Sequence, residues 1–323
     1  MYPISVINPL DRAWDGMVKR LFKPFLAKKW FALGFSAWLA TLLSGIGFPT
    51  FNFFDTKSLG LNELPLLEFW RMHSEIIITV VGITIILGTL LGILFMWISS
   101  RGAFMFLKNV VNDTTEVSKP WHDYRDAGNS LFLWQLGFSI LCMLVTAVLV
   151  AGMILALWPM FSHDGAAHAT RGAISVGSMI GIAFVMFFAG LLMTAIYLFL
   201  IEFVVPLMMK HGMRTNEAWM LLLPVIKHHP GTFILYLLFR FVLNIGVGFV
   251  MVIAGLLTCC CLFFLLVIPY INAVVVLPVT VFLRLYSIEF LRAFGPDFDV
   301  FSPGSLSEEL PQDPATPDIP SPS

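Results

Sequence analysis

The chain has 323 residues, of which 58% are hydrophobic and only 12% are charged, and its formal net charge at pH 7 is -1. Because a water-soluble globular domain carries about 25% charged residues, this composition excludes an ordinary soluble domain. We expect no nucleic-acid partner.

Six long apolar segments follow one another along the chain. Segment 76–98, which reads IIITVVGITIILGTLLGILFMWI, contains no ionisable side chain. About 20 such residues span the hydrocarbon core of a bilayer, and a helix there satisfies its own backbone polar groups. The sequence therefore predicts an all-α polytopic membrane protein. Its six transmembrane helices are predicted over residues 30–48, 76–98, 133–158, 176–204, 231–256 and 269–294.

The last two segments are separated because of their combined length. Joined, they would form an apolar helix of roughly 60 residues and about 90 Å, which is about three times the bilayer core. The split is placed at residues 258–261, which read Thr-Cys-Cys-Cys. Pro269 suits the first turn of the sixth helix, whereas Pro278 lies inside that helix and is expected to bend it.

Lysine and arginine concentrate on one side of the predicted membrane. Fifteen of the 19 lie in the leader, in the second and fourth connections or near the end of the last helix. These are Arg12, Lys19, Arg20, Lys23, Lys28, Lys29, Arg101, Lys108, Lys119, Arg125, Lys210, Arg214, Lys227, Arg284 and Arg292. The opposite side has Lys57, Arg71 and Arg171. Because cations concentrate on the cytoplasmic side, both termini are predicted to be cytoplasmic, in a bacterial inner membrane.

The six helices pair into three predicted hairpins, each entered by a cytoplasmic amphipathic segment bearing Trp14, Trp121 or Trp219. Such segments are expected to lie in the membrane interface. The tripeptide Ile-Glu-Phe recurs at 201–203 and 288–290, at the end of the second and third hairpins. An internal repeat and chance similarity between apolar helices both explain it.

The expected organisation has three parts. Residues 1–29 form an amphipathic cytoplasmic leader, and residues 30–301 form the six-helix membrane domain. Residues 302–323 are rich in proline, serine and acids and contain no lysine or arginine. They cannot bury enough apolar surface to fold, so a disordered cytoplasmic tail is predicted.

Glycines four residues apart occur in two of the predicted helices. Gly88 and Gly92 lie in the second, and Gly177 and Gly181 lie in the fourth. Such pairs let helix backbones approach closely in lipid, so both are predicted packing faces.

Catalytic motifs are absent from the sequence. No HExxH, GxSxG, P-loop or GxGxxG pattern occurs, so no enzyme activity, cofactor or metal is expected. His163, Asp164 and His168 lie in a short Gly/Ala loop with spacing poorly suited to one helical face, and a solvated loop is the preferred interpretation. The cysteine run at 259–261 is interpreted as small apolar residues at a tight turn, with S-palmitoylation or a redox role as alternatives.

Three ionisable residues inside the predicted spans form the candidate site. Glu202, Arg240 and Arg284 each lie about 12–15 Å along a helix from its cytoplasmic end. Tyr236 and Asn244 share a helical face with Arg240 through spacings of four. An arginine at such depth costs about 2.5–3.5 kcal/mol on insertion scales, so partners or a wet cavity are expected. Two interpretations stay open: an ion-paired cluster joining the second and third hairpins, and a cationic pocket for a lipid phosphate.

Several segments together resemble an uncharacterised bacterial family of multi-pass membrane proteins, over nearly the whole chain to about residue 301. These are ISVINP at 4–9, RAW at 12–14, SSRGAFMF at 99–106, GNSLFLW at 128–134 and RLYSIEF at 284–290. In its layout the chain is also distantly similar to the membrane domain that accompanies some glycerophosphodiester phosphodiesterases. Their soluble catalytic barrel has no counterpart in this sequence, so the resemblance implies fold and membrane class and no phosphodiesterase activity.

The sequence favours a non-enzymatic membrane protein that binds or organises anionic lipid, or that serves as the membrane part of an envelope complex. Membrane lipids, with anionic phospholipid among them, are the expected partners. A transporter or permease-like component is the first alternative, and a membrane enzyme acting on lipid headgroups is the second. A transporter would need a continuous polar path to the outer face, whereas the outer halves of these helices carry almost no charge.

Overall fold

The computed structural model describes residues 8–42, 66–116, 118–161, 168–258 and 268–301, and every regular element in these ranges is helical. The elements are α1 (Asn8–Phe22), α2 (Ala27–Thr41), α3 (Leu66–Asn112), α4 (Ser118–Asp123), α5 (Arg125–Phe161), α6 (His168–Phe199), a π-helix (Leu200–Val204), α7 (Val205–His211), α8 (Thr215–His228), α9 (Pro230–Leu257), α10 (Pro269–Val275), α11 (Leu277–Arg292) and a 3-10 turn (Pro296–Phe298). The all-helical prediction is therefore confirmed for the part of the chain that the structure describes.

Four helical segments are long and apolar enough to cross a membrane: Ile78–Asn112, Arg125–Leu157, Gly177–His211 and Pro230–Leu257. The pair α10 and α11, bent by 61°, is a fifth candidate. The first predicted span, 30–48, begins within α2, which has 15 residues. Residues 43–48 lie outside the described ranges. The structure thus supports a membrane protein with four or five candidate spans, and six are not established.

Two helices run well beyond the ends predicted for them. The second span was predicted to end at Ile98, but α3 continues to Asn112. The third was predicted to begin at 133, but α5 begins at Arg125. Polar residues after Ile98 ended the apolar pattern, yet Ser100 is fully buried. The added turns of α3 are helical because they pack inside the protein rather than against lipid.

The bend predicted at Pro278 occurs at Val276, between α10 and α11. Pro278 has no N–H for the carbonyl of Val274, and its ring would collide with that turn. The chain therefore breaks two residues before the proline, which then occupies the first turn of α11, where a missing donor costs little.

The buried core lies at one end of the bundle, where α3 and α11 end and where α5 and α9 begin. Phe104, Leu131, Phe203, Tyr236 and Tyr286 are fully buried there. Toward the opposite end, the most apolar stretches of the four long helices are almost entirely exposed. Such continuous apolar surface is suited to contact with acyl chains, since few soluble proteins expose a patch of that size.

The amphipathic helix α1 packs against α11. Its stripe of Ala13, Met17 and Leu21, spaced by four, is buried. On its edge Trp14 is half-exposed and contacts Phe282 edge-to-face, with ring centroids 6.0 Å apart. The apolar stripe of the leader therefore faces the protein, and the position of this helix at the membrane interface stays a prediction.

Close helix packing uses other glycines than the predicted pairs. A Cβ atom on Gly102 would lie 2.7 Å from the backbone carbon of Leu39, so α2 and α3 meet backbone to backbone at this point. Among the described residues, a Cβ atom on either predicted pair would have no neighbour within 4 Å. Those pairs, at 88 and 92 and at 177 and 181, therefore form no packing face in the described chain, and that prediction is wrong there.

Candidate functional site

The candidate site is built around the π-helix that ends the α6 span. Its wider turn is marked by the N–H of Val205 donating to the carbonyl of Leu200, five residues earlier. In that register the carbonyl of Ile201 would accept from residue 206, but Pro206 has no N–H. Arg284 supplies the missing donor, with its Nη1 2.5 Å from the carbonyl oxygen of Ile201. A π-turn of this kind often marks a functional position in a helix.

Glu202 lies in the same turn and is almost fully buried. Its Oε1 accepts from Nε of Arg240 at 2.7 Å, and its Oε2 accepts from the hydroxyl of Tyr236 at 2.5 Å. Arg240 also donates through Nη1 to Oδ1 of Asn244 at 2.8 Å. The spacing of four along α9 places Tyr236, Arg240 and Asn244 on one helical face, which is why a single carboxylate reaches two of them.

The structure thus places all five predicted residues around one point. Arg240 forms the ion pair with Glu202. Arg284 contributes to the same cluster by a different route, since it donates to a backbone carbonyl of the turn that carries Glu202. Arg240 and Arg284 thus join α9 and α11 to the π-helix, and part of both guanidinium groups is left available.

A cavity of about 420 Å³ opens beside this cluster, between α2, α3, α9, α11 and the π-helix. Its polar wall has Glu202, Arg240, Asn244 and Arg284, and its apolar wall has Val247 and Met251 of α9 and Val279 and Leu283 of α11. This volume is in the range of small-molecule sites, which run from roughly 300 to 1,000 Å³. The combination of a cationic end and an apolar wall suits an amphiphile with an anionic group.

Both arginines retain hydrogen-bonding capacity. A guanidinium has five N–H donors. Arg240 uses two nitrogens, on Glu202 and Asn244, and Arg284 uses one, on Ile201. Within the described ranges their other donors have no protein partner, although both side chains line the cavity. With Glu202 ionised, the lining carries one net positive charge.

Sequence reasoning missed two backbone features of this site, the π-turn and the open carbonyl of Ile201. The signal was present in Pro206, which follows Glu202 by four residues and lies beyond the predicted helix end at 204. A proline shortly after a buried carboxylate predicts that at least one carbonyl in the preceding turn lacks its helical partner. That carbonyl is where Arg284 binds.

The second buried glutamate, Glu289, forms a separate cluster on α11. Its carboxylate lies 3.5 Å from Nη1 of Arg12 and 3.8 Å from Nη1 of Arg292. Arg292 also pairs with Asp299, whose Oδ2 lies 3.1 Å from its Nε. This cluster joins α1 to α11 and the segment after it, and it lies away from the lining of the cavity.

Other predicted chemistry lies elsewhere. His163, Asp164 and the cysteines at 259–261 fall outside the described residues. In the ranges that the structure describes, no group of three histidine, cysteine or acidic residues could hold a metal ion. Cys142 of α5 contacts α6, where its Sγ is 3.2 Å from Sδ of Met193.

Comparison with known proteins assigns a family and no activity. The chain belongs to the family described as "Family of unknown function (DUF7544)", which matches residues 4–271. The match includes Glu202, Tyr236, Arg240 and Asn244 and ends before Arg284. No curated protein and no solved structure matches the chain. The similarity to membrane domains of glycerophosphodiester phosphodiesterases therefore stays a prediction.

Proposed function

We propose that this chain, a member of a family of unknown function, is a non-enzymatic membrane protein whose cavity binds the anionic group of a membrane lipid. The observation that carries the proposal is the cavity wall itself. Arg240 and Arg284 face a space that is otherwise mainly apolar, and donors of both lack protein partners among the described residues. Guanidinium groups bind phosphate oxygens strongly because their planar donors match the spacing of two oxygens.

The proposed setting is a bacterial inner membrane with both termini in the cytoplasm and six helices in three hairpins. Its support is the concentration of lysine and arginine in the connections on one side. The buried core lies at the same end as those connections, so the site would open in the cytoplasmic half of the bilayer. This arrangement is also compatible with a role as the membrane component of an envelope complex.

The cavity favours binding over transport. Away from the arginines its wall is mainly apolar, with Val247 and Met251 on α9 and Val279 on α11. The hydroxyls of Thr41 and Thr280 also lie there, and both donate to backbone carbonyls four residues earlier in the chain. A transport path needs polar groups along its length, because an ion or headgroup is costly to move through apolar surroundings.

The test measures phosphatidylglycerol retained by the purified full chain, using native mass spectrometry after reconstitution and mild detergent extraction. Arg284→Gln and Arg240→Gln are each expected to reduce the retained lipid several-fold. The matched control is Lys227→Gln, which removes an exposed cation from the last turn of α8, outside the cavity. It is expected to behave as wild type.

Two outcomes would overturn the proposal. One is unchanged retention in Arg284→Gln, provided that this variant elutes and melts as a folded protein. The other is displacement of the lipid by millimolar inorganic phosphate, which would identify free phosphate as the ligand. Because Arg240→Gln leaves Glu202 without its cation, Arg284→Gln decides the result if the Arg240 variant fails to fold.

A further inference from the structure

We infer that the cavity selects lipids whose phosphate carries a single negative charge, a phosphodiester, over those with a doubly charged phosphomonoester. The inference rests on the proposed function and names the ligand class for the same cavity. It follows from the charge of the lining and from the number of donors that each arginine presents.

Glu202 acts as a full negative charge. Its two oxygens accept from two different donors, Nε of Arg240 and the hydroxyl of Tyr236. An ionised carboxylate accepts at both oxygens, and the close ion pair with Arg240 favours that form. Two guanidinium groups and one carboxylate then leave one net positive charge on the cavity wall.

One negative charge on the ligand brings that wall to neutrality. A second would leave an uncompensated charge beside Val247, Val279 and Leu283, in apolar surroundings. Uncompensated charge in such surroundings is costly because it has lost water without gaining a counter-ion. A phosphomonoester is therefore penalised by its charge even where its shape would fit.

The hydrogen-bond donors that the two arginines present also match a ligand with a single negative charge. Arg240 is held through Nε and Nη1, and Arg284 is held through Nη1, so each presents only part of its donor edge to the cavity. A phosphodiester has two non-bridging oxygens, one for each guanidinium. The third oxygen of a phosphomonoester would face the carboxylate or the apolar wall, and both are poor partners for it.

The test reconstitutes the full chain at pH 8 with equal amounts of phosphatidylmethanol and phosphatidic acid that have identical acyl chains. These lipids differ by one methyl group and one negative charge, because the second ionisation of a phosphomonoester has a pKa of about 6. Native mass spectrometry then gives the ratio of the two bound lipids. Wild type is expected to favour phosphatidylmethanol by about tenfold, a ratio that a difference of one uncompensated charge readily supplies.

Two variants test the charge count directly. Glu202→Gln raises the net charge of the wall to two, so the bound ratio should shift toward phosphatidic acid. Adding Arg240→Gln returns the net charge to one and should restore the preference for phosphatidylmethanol. Lys227→Gln is the matched control, since it removes a positive charge outside the cavity, and its ratio should equal that of wild type.

The outcomes separate the two ideas. If wild type retains neither lipid, the proposed function fails. If it retains both equally, or if Glu202→Gln leaves the ratio unchanged, lipid binding stands and the selection for a single charge is wrong. Should Glu202→Gln not fold, the wild-type ratio and the double variant decide.

Discussion

Phe203 and Phe290, the aromatic residues of the two Ile-Glu-Phe tripeptides, contact each other with ring centroids 5.8 Å apart. Each follows a glutamate that is almost completely buried, Glu202 in the π-helix and Glu289 in α11. The carboxylates bind different partners, Arg240 for the first and Arg12 with Arg292 for the second. In both copies of the tripeptide, the glutamate is thus ion-paired and the phenylalanine joins one shared aromatic contact.

The ion pair of Glu202 and Arg240 gives the first prediction. Glu202→Gln leaves Arg240 without its counter-ion, and the loss of one partner costs roughly 3–5 kcal/mol in buried pairs of soluble proteins. Adding Arg240→Gln should recover part of that loss in a double-mutant cycle. Denaturant unfolding in detergent measures it, and strictly additive effects of the two substitutions would contradict the pairing.

The cluster at Glu289 predicts an order of effects. Its side chain is 5% exposed, that of Arg292 is 30% exposed and that of Arg12 is 52% exposed. Removing the buried carboxylate takes the ion-pair partner of Arg12 and leaves Arg292 with Asp299 alone, whereas an exposed arginine is worth little. Melting temperatures should therefore fall most for Glu289→Gln, less for Arg292→Gln and least for Arg12→Gln. An equal drop in all three would count against this ordering.

The close approach of α2 and α3 is tested at Gly102. Gly102→Ala places a methyl group 2.7 Å from the backbone carbon of Leu39, so one helix must shift and the melting temperature should fall by several degrees. Gly88→Ala is the matched control in the same helix, because a Cβ atom there has no neighbour within 4 Å in the described chain. It should be neutral or slightly stabilising, since alanine has the higher helix propensity.

Phe301 separates the folded chain from the predicted tail. It is buried, and the guanidinium carbons of Arg20 and Arg292 lie 5.9 Å and 5.8 Å from the centre of its ring. Truncation after Phe301 should leave the melting temperature unchanged, because residues 302–323 are predicted not to pack. Truncation after Val300 removes the ring and should lower it. A clear drop with the first truncation would show that the tail contributes to folding.

Orientation is tested with single cysteines in a cysteine-free background. Thr115 follows α3, and a cysteine there should be shielded from membrane-impermeant thiol reagents in intact cells. A cysteine at Ser321 should be shielded as well, while one at Ser162 should react. The reason is the concentration of lysine and arginine on the side that holds positions 115 and 321. Labelling at Ser321 from outside would reverse the predicted orientation.

Membrane class and helical content followed from the sequence because they depend on local properties. Segment 76–98 is apolar over a length that the bilayer sets, and no tertiary information is needed to interpret it. The shared face of Tyr236, Arg240 and Asn244 was also predictable, since it follows from helical periodicity alone. The same local view failed where helices are covered by protein, which is why α3 runs past Ile98 to Asn112.

The partners within the site depended on how separate helices cross. Glu202 and Arg240 are 38 positions apart, and the contact between Arg284 and Ile201 joins residues 83 positions apart. The second contact also needs the π-turn, which leaves a carbonyl open before Pro206. The sequence predicts which charged residues lie at a similar depth in the membrane. Which donor meets which acceptor is decided by helix crossing and by the backbone groups that a proline leaves unpaired, and these belong to the tertiary structure alone.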